Sequence, residues 1–121
     1  MRTLFIIIAQ AALAASSSAL AGTSLTTIPK GQSFALGGDQ VSKLHVTGKN
    51  VGPVAVKIFS KQAGKRVERG LVQPRGEIVA DFAVGETAII ENTSSINNAR
   101  IYVQFNASVN SLSMRYQPAR K

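Results

Sequence analysis

The largest group of side chains that could bind a ligand in this sequence is a run of cations near the middle of the chain. The stretch KQAGKRVERG, residues 61–70, contains four Lys and Arg side chains and a single carboxylate, that of Glu68. Such cations bind phosphates and carboxylates, but a basic hairpin tip that only keeps a protein soluble has the same pattern. With two residues from the preceding strand, the candidate binding residues are Lys57, Phe59, Lys61, Lys65, Arg66 and Arg69.

Residues that could support catalysis or hold a metal are sparse. The chain has one histidine, His45, no cysteine, and six Asp and Glu residues that are scattered along it. Zinc sites need several Cys or His ligands, and calcium sites need converging oxygen ligands at short spacing. The serines do not lie in the G-x-S-x-G pattern of a nucleophile elbow. We therefore expect a protein that is not an enzyme and that carries no metal or cofactor.

The first 21 residues have the pattern of a secretory signal peptide. Arg2 supplies a positive start, LFIIIAQAALAA an apolar stretch, and Ala19 and Ala21 the small residues of a cleavage site. This stretch is shorter than the roughly 20 apolar residues that a membrane span needs, so we expect no transmembrane segment in the mature chain. Cleavage after Ala21 predicts a periplasmic or secreted domain formed by residues 22–121, with a net charge of +7.

The mature sequence reads as short strands separated by turns. In ARIYVQFNA the apolar residues Ile101, Val103 and Phe105 alternate with polar ones, which is the period of a half-buried strand. Shorter runs repeat this pattern, with Gly, Pro and Asn between them. The sequence therefore predicts an all-β fold, an antiparallel β-sandwich (jelly-roll or immunoglobulin-like) of about seven or eight strands. Thr23–Lys30 is predicted to be a loose leader before the first strand.

The basic stretch then falls on a predicted hairpin with its turn at Ala63-Gly64. In that register Lys61 faces Arg66 and Ser60 faces Val67, and the predicted pairs further from the turn are Ile58 with Arg69 and Val56 with Leu71. Two cations directly opposite each other destabilise a sheet slightly, and a bound anion would relieve their repulsion. Phe59 and Tyr102 have outward parity and could together form a platform for sugar rings, although the chain has no tryptophan.

Two loops have alternative readings. ENTSSINNAR, residues 91–100, is either a recognition loop or a connection capped by its own side chains, and the second reading is favoured. The stretch GKNVGPVAV could form a small anion pocket from backbone amides. Asn92 and Asn106 also match the glycosylation sequon.

These patterns predict a binding or structural module whose basic surface meets an anionic partner at the cell envelope. The partner would be an acidic polysaccharide, lipopolysaccharide or an acidic protein, and nucleic acid is not expected because no recognised motif is present. One alternative is a subunit that self-associates into an extracellular assembly by edge-strand pairing. A further alternative is an inhibitor that presents a hairpin loop.

Overall fold

The computed structural model describes residues 22–106 and 112–119, and its regular structure is entirely β. The prediction of an all-β antiparallel fold is confirmed, with nine strands in these ranges rather than seven or eight. No helix in the described ranges is long and apolar enough to span a membrane. The strands are β1 Gly22–Ile28, β2 Gln32–Gly37, β3 Leu44–Asn50, β4 Val56–Gln62, β5 Lys65–Val72, β6 Glu77–Phe82, β7 Thr87–Asn92, β8 Ala99–Phe105 and β9 Met114–Pro118.

The strands form two antiparallel sheets. The four-stranded sheet has the order β1-β8-β3-β6, and the five-stranded sheet has the order β5-β4-β7-β2-β9. Apolar side chains alternate along the strands, so one face of each sheet is apolar. These faces contribute to a single core, because buried residues from both sheets belong to one cluster, which includes Phe34, Leu36, Val56, Ile58, Ile90 and also Leu44, Val46, Phe82, Ile101, Val103 and Phe105.

The predicted loose leader is wrong, because this segment contains strand β1. All seven residues of β1 pair with β8, from Gly22 opposite Phe105 to Ile28 opposite Ala99. The inward positions of β1 include Thr26, which is buried, and Ser24, so the apolar alternation that marks the other strands is weak here. A strand at a sheet edge needs fewer apolar residues, which explains why its sequence resembles a linker.

The β4–β5 hairpin confirms part of the predicted register. Lys61 pairs with Arg66 and Ser60 with Val67, around a turn in which Ala63 and Gly64 have φ values of 53° and 79°. Beyond this point a bulge shifts the pairing, so Ile58 faces Gly70 and Val56 faces Val72. The predicted pairs of Ile58 with Arg69 and of Val56 with Leu71 are therefore wrong, because Arg69 is an extra residue in β5.

Buried side-chain amides hold the loops in place. Asn50 is fully buried, donates to the carbonyls of Val54 and Val72, and accepts from the amide of Gly52. At the opposite end of the sheets, Gln40 donates to two carbonyls of the β6–β7 turn. Each of these groups has several partners, which is what burial of a polar amide requires.

The loop after β7 is a capped connection. Asn92 is 3 % exposed, donates to the carbonyls of Ile28 and Asn97, and accepts from the amide of Ser94. The Ser94 hydroxyl in turn accepts from the amides of Ile96 and Asn97. The favoured reading of this loop is thus confirmed, and the Asn92 sequon is inaccessible to glycosylation in the folded state.

Candidate functional site

The six candidate binding residues lie on the β4–β5 hairpin, at one edge of the five-stranded sheet. Lys57, Phe59 and Lys61 alternate along β4 on the face away from the core, and Arg66 faces Lys61 from β5. Lys65 lies beside the turn, while Arg69 lies at the bulge. The structure therefore brings five of the six residues to one face or its tip and separates Arg69 from them.

Arg66 already has an anionic partner within the protein. Its guanidinium lies 4.2 Å from the ring centroid of Phe59, and its Nη2 is 3.2 Å from Oε1 of Glu91 on β7. The side chains of Arg66 and Glu91 are only 8 % and 14 % exposed. Glu91 thus offsets the repulsion between Arg66 and Lys61 that the sequence left uncompensated. This contact takes Arg66 and the face of Phe59 out of the surface that a ligand can reach.

Arg69 links the edges of the two sheets. Its guanidinium donates to the backbone oxygen of Asp81 on β6 at 2.9 Å and lies 5.1 Å from the ring centroid of Phe82. Arg69 is the extra residue of the bulge and follows Glu68, so it does not share the face that carries Lys57. We therefore assign Arg69 a structural role, because its contact joins the edge strand β5 of one sheet to the edge strand β6 of the other.

Two ammonium groups remain at the hairpin tip. Lys57 lies 3.9 Å from Glu68, which is a weak and solvent-exposed pairing. Lys61 and Lys65 are exposed, and no side-chain carboxylate of the described ranges lies within 4.0 Å of either. Gln62, between them, donates to the carbonyl of Val84 at 3.2 Å and so ties the tip to the β6–β7 turn. Lys61 and Lys65 are thus the candidate residues most available to an anion.

The only histidine of the chain has a carboxylate partner. His45 on β3 and Asp81 on β6 are opposite each other, and the His45 Nδ1 contacts Asp81 Oδ1. This hydrogen bond, followed by the electrostatic attraction of His45, Lys43 and Arg69, holds the pKa of Asp81 below its ordinary value of 3.8. The sequence alone does not reveal this pair, because the pairing of β3 with β6 is not visible without the strand order.

The His45–Asp81 pair resembles the part of a catalytic triad that orients the base. In the ranges that the structure describes, the hydrogen-bonding partner of the His45 side chain is Asp81, and no nucleophile shares the contact. The same ranges contain no group of three or more His, Asp or Glu side chains that could hold a metal ion. The pair can therefore fasten β3 to β6, and nothing around it assigns a reaction.

Phe59 and Tyr102 do not form a common platform. Tyr102 lies on β8 of the four-stranded sheet, is 37 % exposed, and borders a shallow depression of about 370 Å³. Phe59 lies on the other sheet, under the Arg66 guanidinium. The depression beside Tyr102 is lined by Thr47, Gly48, Lys49, Glu77, Ile78, Val79 and Gln104. Sequence parity identified Tyr102 as outward but could not reveal which residues surround it.

In the loop between β3 and β4, two amides of the predicted anion pocket are paired within the protein. The amide of Val51 donates to the carbonyl of Arg100, and that of Gly52 donates to the Asn50 side chain. Both amides therefore stabilise the loop and are not free to bind an anion.

Comparison with known proteins gives no relative from which a role could be transferred. No protein-family model, no curated protein and no solved structure matches this chain.

Proposed function

We propose that this protein is an exported, non-enzymatic binding module whose hairpin tip docks an anionic polymer at the cell envelope. The observation that carries the proposal is that only some of the hairpin cations have partners within the protein. Arg66 and Arg69 are held by internal contacts, whereas Lys61 and Lys65 are exposed without a carboxylate in the described ranges within 4.0 Å. Two exposed lysines on a tip that Gln62 ties to the β6–β7 turn attract phosphate, sulfate or carboxylate groups.

The excess of positive charge supports an anionic partner. All six Asp and Glu side chains of the sequence lie in the described ranges, against 14 Lys and Arg residues in the whole chain. Glu91 is paired with Arg66, and Asp81 is paired with His45. The remaining cations act together as a long-range attraction for a polyanion, and Lys61 and Lys65 supply the local contact. The partner is an acidic polysaccharide, lipopolysaccharide or an acidic protein.

The proposed fold is a jelly roll, and the order of the strand pairs supports it. β1 pairs with β8, β2 with β7, β3 with β6, and β4 with β5. These nested pairs are those of one long hairpin rolled into two sheets, with β9 added beside β2. The expected cleavage after Ala21 would release a chain that begins with the first residue of β1, so export and folding are compatible.

Charge reversal at the tip tests the proposed function. We expect the variant K61E/K65E to bind polyphosphate or a sulfated polysaccharide about tenfold or more weakly than the unaltered protein at low salt. The change removes two attractive charges and adds two repulsive ones at the contact itself. Equilibrium dissociation constants from calorimetry provide the measurement.

The matched control is K30E/R75E, which changes the net charge by the same amount elsewhere. Lys30 follows β1 and Arg75 follows β5, on loops at the other end of the strands from the hairpin turn. If both double variants lose the same affinity, the attraction is a property of net charge and the tip is not a docking site. If only the control loses affinity, the site lies at the opposite end.

A second candidate function is an assembly subunit, which the edge strand β1 favours. Charged residues, prolines and bulges usually block edge-to-edge pairing of edge strands. The seven residues of β1 contain none of these features. Such a subunit would form oligomers that persist in high salt and disappear when lysine replaces Thr23 and Leu25. Sedimentation of the unaltered protein as a monomer at high concentration would rule this candidate out.

A further inference from the structure

The outward face of the four-stranded sheet carries a second surface of binding character. Its depression of about 370 Å³ lies among β3, β6 and β8, on a different sheet from the basic hairpin. Tyr102 and Val79 border it and are 37 % and 69 % exposed. An aromatic and an aliphatic wall with a few polar groups between them is the usual composition of a small-ligand site.

Strand register places the polar groups around Tyr102. Lys49 lies opposite Tyr102 on β3, and Thr47 lies opposite Gln104 in the neighbouring row. Gly48, between these two residues of β3, lies so close to β8 that an added Cβ would overlap the backbone oxygen of Tyr102. The close approach of the strands therefore depends on this glycine, and it keeps Lys49 next to the aromatic ring.

Two cations lie near Tyr102 in the sheet without a carboxylate contact among the described residues, Lys49 at the depression and Arg100 beyond its rim. Lys49 has Glu77 as its register partner, yet no side-chain carboxylate in the described ranges lies within 4.0 Å of its ammonium group. Arg100 precedes Tyr102 by two residues on β8, shares its outward parity and is also exposed without such a partner. The positive charge beside Tyr102 is thus available to an anionic group of a ligand.

We infer that this face binds a sugar ring of an acidic polysaccharide that contains uronate units. The C–H face of a pyranose packs against Tyr102, because the ring combines apolar area with a negative π face. Thr47 and Gln104 exchange hydrogen bonds with the sugar hydroxyls, and Glu77 accepts from them. Lys49 and Arg100 pair with the uronate carboxylate. The inference rests on the proposed function for the class of ligand but uses a separate surface.

Calorimetry with an oligogalacturonate and with a neutral oligosaccharide of the same length tests the inference. We expect the acidic sugar to bind and Tyr102→Leu to weaken it about tenfold, because leucine keeps apolar bulk but loses the aromatic face. Tyr102→Phe, which keeps the ring, should stay within about threefold of the unaltered protein. Tyr116→Leu is the matched control, since Tyr116 is exposed on β9 of the other sheet, and it should leave the affinity unchanged.

Each alternative outcome contradicts the inference in a recognisable way. If K61E/K65E abolishes oligogalacturonate binding while Tyr102→Leu has no effect, the hairpin binds the sugar and only the proposed function stands. If polyglutamate displaces the sugar as strongly as polygalacturonate does, the face recognises charge alone, as a surface for an acidic protein would. If no oligogalacturonate binds at low salt, the face is not a sugar site.

Discussion

The side-chain amide of Asn50 connects three backbone groups from separate parts of the loops. It donates to the carbonyls of Val54 and Val72 and accepts from the amide of Gly52, in a position with no solvent exposure. We expect Asn50→Ala to lower the free energy of unfolding by about 3 kcal/mol, because buried groups would be left without partners. Urea denaturation measures the difference.

Asn97→Ala is the appropriate control for that substitution. The Asn97 side chain is exposed, so its truncation should change the free energy of unfolding by less than about 0.5 kcal/mol. A loss for Asn50→Ala as small as the loss for Asn97→Ala would show that the loops do not depend on the buried amide.

The contact between His45 and Asp81 predicts a dependence of stability on pH. Because the folded-state pKa of Asp81 lies below its ordinary value of 3.8, the carboxylate stabilises the fold above that value. The contribution is lost as the pH falls through the folded-state pKa. We expect the stability difference between the unaltered protein and Asp81→Asn to be present at about pH 6 and to shrink as the pH falls below 3.8.

Denaturant unfolding of both proteins across this range is the measurement. The outcome that contradicts the expectation is a difference that stays constant from about pH 6 to about pH 2, since titration of Asp81 would then not be linked to folding.

The roles of these side chains could be predicted from sequence only in part. The spacing of polar residues identified residues 91–100 as a capped loop. It did not indicate that Asn50 and Gln40 are buried, because Asn and Gln two residues from a glycine are equally typical of exposed turns. Their burial depends on carbonyls from loops that are distant in sequence, and those become neighbours only once both sheets form.

At the scale of the strands, β1 gives the sharpest test. Thr27 on β1 and Arg100 on β8 are opposite each other. The Thr27 carbonyl accepts from the Tyr116 hydroxyl, and the Arg100 carbonyl accepts from the amide of Val51. Both carbonyls therefore point away from the hydrogen bonds between β1 and β8. By alternation, Ser24 and Thr26 bond to β8, whereas the amides of Thr23, Thr27 and Leu25 face the free edge. We expect slow hydrogen exchange at Ser24 and Thr26 and fast exchange at the other three.

Amide exchange followed by NMR distinguishes this strand from a loose leader. Fast exchange at all five amides would show that the segment does not pair with β8 in solution. Equally slow exchange at all five would show that the edge is covered by another chain, as in the assembly that we give as the second candidate function.

The hairpin shows which features of an element follow from its own sequence. The turn at Ala63-Gly64 fixes the nearest pairs, so Lys61 opposite Arg66 was predictable from local chemistry. The bulge was not, because the extra residue, Arg69, is stabilised by the carbonyl of Asp81 on a strand of the other sheet. Register beyond the first few pairs therefore depended on a tertiary contact.

At the scale of the whole molecule, the composition shows an excess of cations but not which of them a ligand can reach. The sequence suggested that Lys61 and Arg66 repel each other until an external anion binds. In the folded protein Glu91 reaches Arg66 from a third strand, so only part of the basic stretch remains open to a partner. The candidate residues thus lie on a hairpin, as the sequence predicted, while their contacts within the protein could be known only from the strand order.

The central claim is that the accessible lysines of the hairpin tip bind a polyanion, and NMR titration with short-chain polyphosphate tests it directly. Polyphosphate has no sugar ring, so it reports on charge alone. We predict that the largest amide shifts occur from Lys61 to Arg66 and that they vanish as the salt concentration rises. Largest shifts around Lys30 and Arg75, or the absence of saturable shifts at low salt, would contradict the claim.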